Sequence, residues 1–225
     1  MANATPTAVA GGVPDHGTWL GHPKGLFILF MTEMWERMSY YGMRSLLALY
    51  MVNHLFIRPD VGAKVLGFNH IKNSLEAAFG PLGTQALQSQ VYGLYTGFVY
   101  LAPFFGGLLA DRVLGRRKAV IVGGVLMAIG HFLMAAENLF FPALLFLIMG
   151  NGCFKPNIST QVGGLYAQGD PRRDRAFSIF YVGINLGAFL AGIVCGYIGE
   201  TYGWRWGFFA AGLGMIGGLV QYAMG

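Results

Sequence analysis

Apolar residues gather in six long blocks along this chain, over about 25–55, 84–111, 118–137, 141–166, 176–199 and 205–224. Each reaches the roughly 20 residues that an α-helix needs to cross a bilayer. The pattern therefore predicts an all-α membrane protein with six transmembrane helices. Residues 1–24 are rich in Ala, Gly, Thr and Pro and lack a basic stretch followed by an apolar one, so they read as a mobile tail and not as a cleaved signal peptide. The connection 56–83 is long enough to hold helical extensions.

One block breaks its own pattern. Glu33, Glu36, Arg37 and Arg44 fall within the first span, in "TEMWERMSYYGMRS" from Thr32 to Ser45. At 3.6 residues per turn these four and Tyr40 share one arc of about 100°, with Tyr41 at its border. The stripe runs roughly 16 Å along the axis. Met34, Trp35, Met38, Met43, Leu46 and Leu47 occupy the other faces. A charge at the bilayer centre costs at least about 2.5–3.5 kcal/mol, so the stripe must face a watery cavity or an ion-pair network between helices. A lattice of ion pairs that merely fixes packing is the weaker alternative, because an apolar interface does that without desolvating charge.

Lys155 supports the cavity. It is the one charge in the fourth span and is followed by Pro156, which removes a backbone donor and favours a kink. Snorkelling does not account for it, since either interface is about ten residues away. Its depth matches the stripe, so it is expected to answer a carboxylate there. Asn185 lies mid-span in the fifth helix, and Tyr92, Tyr95 and Tyr100 in the second. For Tyr92 and Tyr95 a core or belt role is the simpler reading. His131 reads as a satisfied packing histidine, and Glu137 and Glu200 as helix-end residues.

Composition agrees with the pattern. The chain is 55% hydrophobic and 11% charged, with a mean hydropathy of +0.52, against about 25% charged in soluble domains. The net charge of +5 belongs to loops and does not signal nucleic-acid binding. Arg112, Arg116, Arg117 and Lys118 lie between the second and third spans, and Arg172, Arg173 and Arg175 between the fourth and fifth. Arg58, Lys64, Lys72 and Arg205 lie on the other side. The excess places the first set, the 1–24 tail and the N-terminus in the cytoplasm of a multi-pass inner (plasma) membrane protein. Gly183–Gly187, Gly192–Gly196, Gly123, Gly124 and Gly130 read as small residues at helix interfaces. Cys153 and Cys195 read as small packing residues. "GNGCFK" (Gly150 to Lys155) has no preceding strand and is not a phosphate loop. There is no metal-ligand cluster or nucleophile–base pair in the sequence, so an enzyme is not expected, nor any cofactor beyond protons.

Four segments resemble one family. "EMWERMSYYG" (Glu33 to Gly42) is similar to the ExxER signature of the proton-dependent oligopeptide transporters, a branch of the major facilitator superfamily. "GNGCFKPNISTQVGGLY" (Gly150 to Tyr166) and "FYVGINLGA" (Phe180 to Ala188) resemble its fourth- and fifth-helix elements. "GGLLADRVLGRRK" (Gly106 to Lys118) resembles the general facilitator loop. The resemblance covers 24–225 and implies roles. Glu33, Glu36, Arg37 and Lys155 match the proton-coupling group. Arg37, Arg44 and Lys155 match cations that receive a peptide carboxylate, and Tyr40, Tyr41, Tyr100 and Asn185 match polar groups of the peptide pocket. Asp111, Arg112, Arg116 and Arg117 match a cytoplasmic gate that pairs with neighbouring helix ends. Met38 stands where an aromatic is usual and Ala188 where a serine is usual, which touches pocket shape but no charge. Animal relatives carry a histidine near Gly93; its absence points to carboxylates as proton carriers.

The family has twelve or more helices in two bundles. This chain is expected to be the N-terminal bundle (25–225), with the second six-helix bundle absent from it. The implied function is proton-coupled symport of di- and tripeptides by alternating access. The partners are peptides, protons, the lipid bilayer and the second bundle. The rivals are a same-family carrier of another anionic or zwitterionic solute and a non-transporting six-helix assembly module.

Overall fold

The computed structural model describes residues 17–225. It is built almost wholly of helices. A short hairpin of β1 (Thr18–Trp19) and β2 (His22–Pro23) leads into α1 (Lys24–Tyr50), which ends in a π turn, Met51–Leu55. Short helices α2 (Val61–Lys64) and α3 (Phe68–Phe79) fill the 56–83 connection. Then come α4 (Thr84–Leu109) with a π turn at Ala110–Leu114, α5 (Arg116–Met134) and α6 (Phe140–Gly164). Next is α7 (Arg172–Ala191), which passes through a π turn (Gly192–Gly196) into α8 (Tyr197–Tyr202); α9 (Trp204–Met224) follows.

Five runs are long and apolar enough to cross a membrane: Thr84–Leu114, Arg116–Met134, Glu137–Gly164, Arg172–Tyr202 and Trp204–Met224. The sixth expected span, α1, has the length, about 40 Å at 1.5 Å per residue, but its charges keep it out of that set. Of the six expected spans, five are apolar, and the sixth, α1, is the one that carries the charged stripe. Of the expected tail, 1–16 lie outside the described residues, while 18–23 form the hairpin. Its two-residue turn uses Leu20 and Gly21 at φ 51° and 78°, the positive values that a tight hairpin turn requires.

The spans form an open ring in the order α4, α6, α5, α9, α1, α7, with α1 and α6 facing one another across its interior. Glycine sets the closest approaches. A Cβ on Gly106 would lie 2.0 Å from the Gly152 carbonyl oxygen, one on Gly123 2.7 Å from that of Gly150, and one on Gly187 2.3 Å from that of Met34. Such contacts gain dispersion energy where lipid offers no hydrophobic drive between helices. Gly183 packs on Phe30, and Gly124 and Gly130 on Leu219 and Leu147. Gly192 and Gly196 do not follow this expectation: nothing lies within 4 Å of a Cβ at either position, because they sit in the π turn on the open side of the helix. Cys195 is wholly buried against Gly42.

Both basic connections lie at one end of the bundle. Arg172 Nη1 donates to the Gly21 carbonyl at 3.0 Å, and His22 Nδ1 lies 2.7 Å from the Tyr166 hydroxyl. Arg117 Nη2 donates to the Ala223 carbonyl at 3.4 Å. The other end holds α2, α3 and Glu137, with Leu66 N donating to the Asn138 carbonyl at 3.1 Å.

Candidate functional site

The site is centred on α1. Glu33, Glu36 and Arg37 are buried, at 2%, 0% and 3% exposure. Arg37 Nε lies 2.9 Å from Glu33 Oε1 and 2.5 Å from Glu36 Oε2. Glu33 and Arg37 are one helical turn apart, the spacing at which side chains meet, so a single guanidinium is shared by two carboxylates. The sharing leaves groups unsatisfied. The Nε contacts are ion pairs and not aligned hydrogen bonds, so Arg37 Nε and Nη2, both Glu36 oxygens and Glu33 Oε2 lack hydrogen-bond partners among the described residues. The Arg37 guanidinium also rests on the Tyr40 and Tyr41 rings, 5.5 and 5.8 Å from their centroids, and those rings meet edge to face.

Lys155 comes from α6. It lies nine residues from the end of that helix at Gly164, and Glu33 lies nine residues into α1. The two helices begin at opposite ends of the bundle, so both side chains sit at one level. The expected Lys155–carboxylate pair is not formed within 4.0 Å; Arg37, on the same helix as both glutamates, takes that place. Lys155 Nζ instead stands 5.4 Å from the centroid of Tyr100, and its charge acts on Glu33 and Glu36 from farther away. Arg44, half-buried, donates from Nε to the Tyr92 hydroxyl at 2.6 Å, with its guanidinium 5.5 Å from that ring. Two carboxylates against three cations leave the site with one surplus positive charge.

Not every expected residue joins this group. Tyr100 does so at its open edge: its ring is exposed, with Lys155 over it, and its hydroxyl lies beside Arg44. Asn185 is exposed, and its Nδ2 donates to the Tyr181 carbonyl of its own helix at 3.0 Å. At the basic end, Arg116 Nε stands 3.8 Å from Asp111, Arg117 reaches the C-terminal end of α9, and Arg112 is exposed.

Three readings change. Tyr92 is the partner of Arg44 and not a belt residue; its level, eight residues into α4, was the available signal. His131 is fully buried with neither ring nitrogen partnered among the described residues, so it is packed but not satisfied. Glu137 organises the far end: its Oε1 lies 2.7 Å from His54 Nε2 and its Oε2 3.0 Å from Arg58 Nη1. Arg58 also pairs with Asp60 at 3.0 Å, and Asp60 with Lys64 at 2.8 Å. Arg58 and Lys64 hold the Asp60 carboxyl well below the usual carboxylate range.

Residues 117–225 match the model of the POT family. Over 93% of its length the chain is 42% identical to a peptide transporter of Yersinia enterocolitica, covering 38% of that protein. It is 38% identical over 92% of its length to a di-/tripeptide transporter of Lactococcus lactis, covering 39% of it. An uncharacterized transporter of Bacillus subtilis is 40% identical over all of this chain and 42% of its own length. The chain thus spans about two fifths of the curated relatives. The fold is similar to the crystal structure of a peptide transporter POT in complex with sulfate (TM-score 0.76, 41% identity, 96% of this chain and 40% of that one). It is also similar to a POT family transporter in complex with 5-aminolevulinic acid (TM-score 0.75, 36% identity, 94% and 40%).

Proposed function

The chain belongs to the POT family, and from that premise we propose that it forms the N-terminal bundle of a transporter that moves di- and tripeptides with protons. The second bundle is its partner in alternating access. The observation that carries the reading is the buried Glu33–Arg37–Glu36 group, with Arg44 and Lys155 nearby and one positive charge in excess. A peptide carboxylate complements that excess, and arginine binds a carboxylate through two parallel hydrogen bonds. While both glutamates are ionised they compete for Arg37. Protonating one releases the guanidinium for substrate, which links proton and peptide occupancy. The chemistry is transport, with protons as the coupling ion and no covalent step. The shared basic end, carrying Arg112, Arg116, Arg117 and Lys118 with Arg172, Arg173 and Arg175, faces the cytoplasm of the inner membrane by the positive-inside rule. There the loop from Asp111 to Arg117 acts as a latch against neighbouring helix ends.

A second reading, a same-family carrier of another zwitterionic solute, is favoured by the aminolevulinic acid in one structural relative. Both readings are tested with a full-length transporter containing this chain, in liposomes under an inward proton gradient. Accumulation of dipeptide supports the first; accumulation of 5-aminolevulinic acid without dipeptide supports the second. Lys155→Ala is expected to abolish proton-driven accumulation. Wild-type uptake by that variant would remove Lys155 from the mechanism, and uptake of neither solute by the unmutated protein would leave the six-helix module standing.

A further inference from the structure

α6 carries a second inward polar side chain that the reading above does not use. Asn151 is 1% exposed, and neither its Oδ1 nor its Nδ2 has a hydrogen-bond partner among the described residues. Its direction follows from its neighbours. Gly150 packs on Gly123 and Met127 of α5, and Gly152 packs on Ala102 of α4. Successive helical residues turn by about 100°, so position 151 projects between those two contacts. That sector faces either lipid or the bundle interior. Burial of Asn151 selects the interior, where α1 faces α6.

Its level follows from the helix ends. Asn151 lies thirteen residues from Gly164, while Glu36 and Arg37 lie twelve and thirteen residues into α1. A buried amide with no partner therefore sits opposite a buried carboxylate whose two oxygens have no hydrogen bond either. A buried polar group without a hydrogen bond is costly, and here Asn151 and the Glu36 carboxylate, which Arg37 meets as an ion pair only, share one level of one interface. The ionisable groups around Glu36 are Glu33, Arg37 and Tyr40 on α1, Lys155 on α6 and Tyr95 on α4; Asn151 is the neutral amide at the same level of α6.

Resting on the proton-coupled reading, we propose that Asn151 is a positioning residue for Glu36, hydrogen-bonding its carboxyl group across the α1–α6 interface, directly or through one water. An amide suits both protonation states. Nδ2 donates to the carboxylate, and Oδ1 accepts from the carboxyl O–H once Glu36 has taken the proton. The proton stays on the Glu36 oxygen, and Asn151 neither gains nor loses one. Asn151 thereby fixes the orientation in which Glu36 exchanges its proton and releases Arg37.

The test uses Asn151→Leu, which keeps the branching at Cγ but has no hydrogen-bonding groups, and Asn151→Gln, which keeps the amide, each in the full-length transporter. The infrared difference spectrum on acidification reads the carboxyl C=O stretch, assigned to Glu36 by its loss in Glu36→Gln. We expect that band to shift in Asn151→Leu and to return toward its wild-type position in Asn151→Gln. The pH of half-maximal proton-driven uptake should rise by up to about one unit in Asn151→Leu, because the hydrogen bond lost from the charged carboxylate is stronger than the one lost from the neutral carboxyl. An unmoved band and an unmoved pH profile would overturn the proposal and make Asn151 a packing residue. If Asn151→Leu does not fold, Asn151→Ala, which also lacks hydrogen-bonding groups, gives the same reading of the band. The band needs no transport, so a full-length protein without proton-driven uptake would refute the transport reading while the spectrum still decides Asn151.

Discussion

The middle of α1 and the far end of the bundle use the same ion-pair chemistry in opposite surroundings. Glu33, Glu36 and Arg37 have side chains at most 3% exposed. Arg58, Asp60, Lys64 and Glu137 have side chains 28–54% exposed. In water an ion pair contributes little, because each partner was well solvated alone. Inside the bundle each ion has lost its water, and the pair recovers that loss only with good geometry and further hydrogen bonds. The α1 group has short contacts but unpartnered oxygens and nitrogens. It is thus poorly made for holding the bundle together and well placed to change partner when a proton or a second carboxylate arrives. The outer group is the better satisfied of the two and the less consequential.

Substitutions should separate the two groups in graded order. Arg37→Leu strands two buried carboxylates, and the full-length protein should lose about 3–5 kcal/mol of stability together with proton-driven uptake; thermal unfolding in detergent and liposome uptake check this. Glu36→Gln should lower proton-driven accumulation by about tenfold or more, within the usual range of site-to-site coupling. Glu137→Gln, the matched change at the rim, should alter it by less than about twofold; equal losses would erase the distinction drawn between the groups. Arg44 is intermediate in burial. Arg44→Ala should weaken uptake of peptides with a free C-terminus by about tenfold, the value of one charge-assisted hydrogen bond, and Tyr92→Phe, which keeps the ring but not the hydroxyl, should cost less.

The smallest effects belong to the two aspartates at the ends of the bundle, Asp60 and Asp170. Asp60→Asn should leave uptake within about twofold, with any loss fading as salt is raised. Arg172 holds the Asp170 carboxyl at about 2. Its lowered value means that any stabilisation is complete above the ordinary carboxylate range near 4 and is lost as pH falls toward 2. Asp170→Asn should therefore have the same effect on thermal stability at every pH from about 5 to 8, and a dependence on pH within that window would show that other groups answer to it.

Much of this organisation was legible in the residues. Apolar block length located the spans, and the 3.6-residue period gathered Glu33, Glu36, Arg37, Tyr40 and Arg44 on one face of α1. What stayed hidden was pairing between helices. Periodicity along α4 cannot say that Tyr92 meets Arg44, and the depth that matches Lys155 to Glu33 does not reveal that Arg37 reaches the carboxylate first. Asn151 was invisible for a related reason: its significance rests on burial without a partner, which exists only once α4, α5 and α1 surround α6. Glycine spacing was ambiguous too. Gly183–Gly187 and Gly192–Gly196 share one spacing, yet only the first pair meets a neighbouring helix.

Pro156 leaves the Gly152 carbonyl without the donor that the next turn of α6 would normally provide, and Gly106 of α4 lies against that carbonyl with no side chain between. A helix ordinarily resists bending because each change of angle stretches a hydrogen bond. Here one bond is already missing, on the turn that carries Lys155. The two halves of α6 are joined by a section of low bending stiffness, with the smooth backbone of α4 as its bearing surface. Tilting one half against the other opens one hydrogen bond fewer at this turn than in a helix without proline, and Lys155 stands beside that gap.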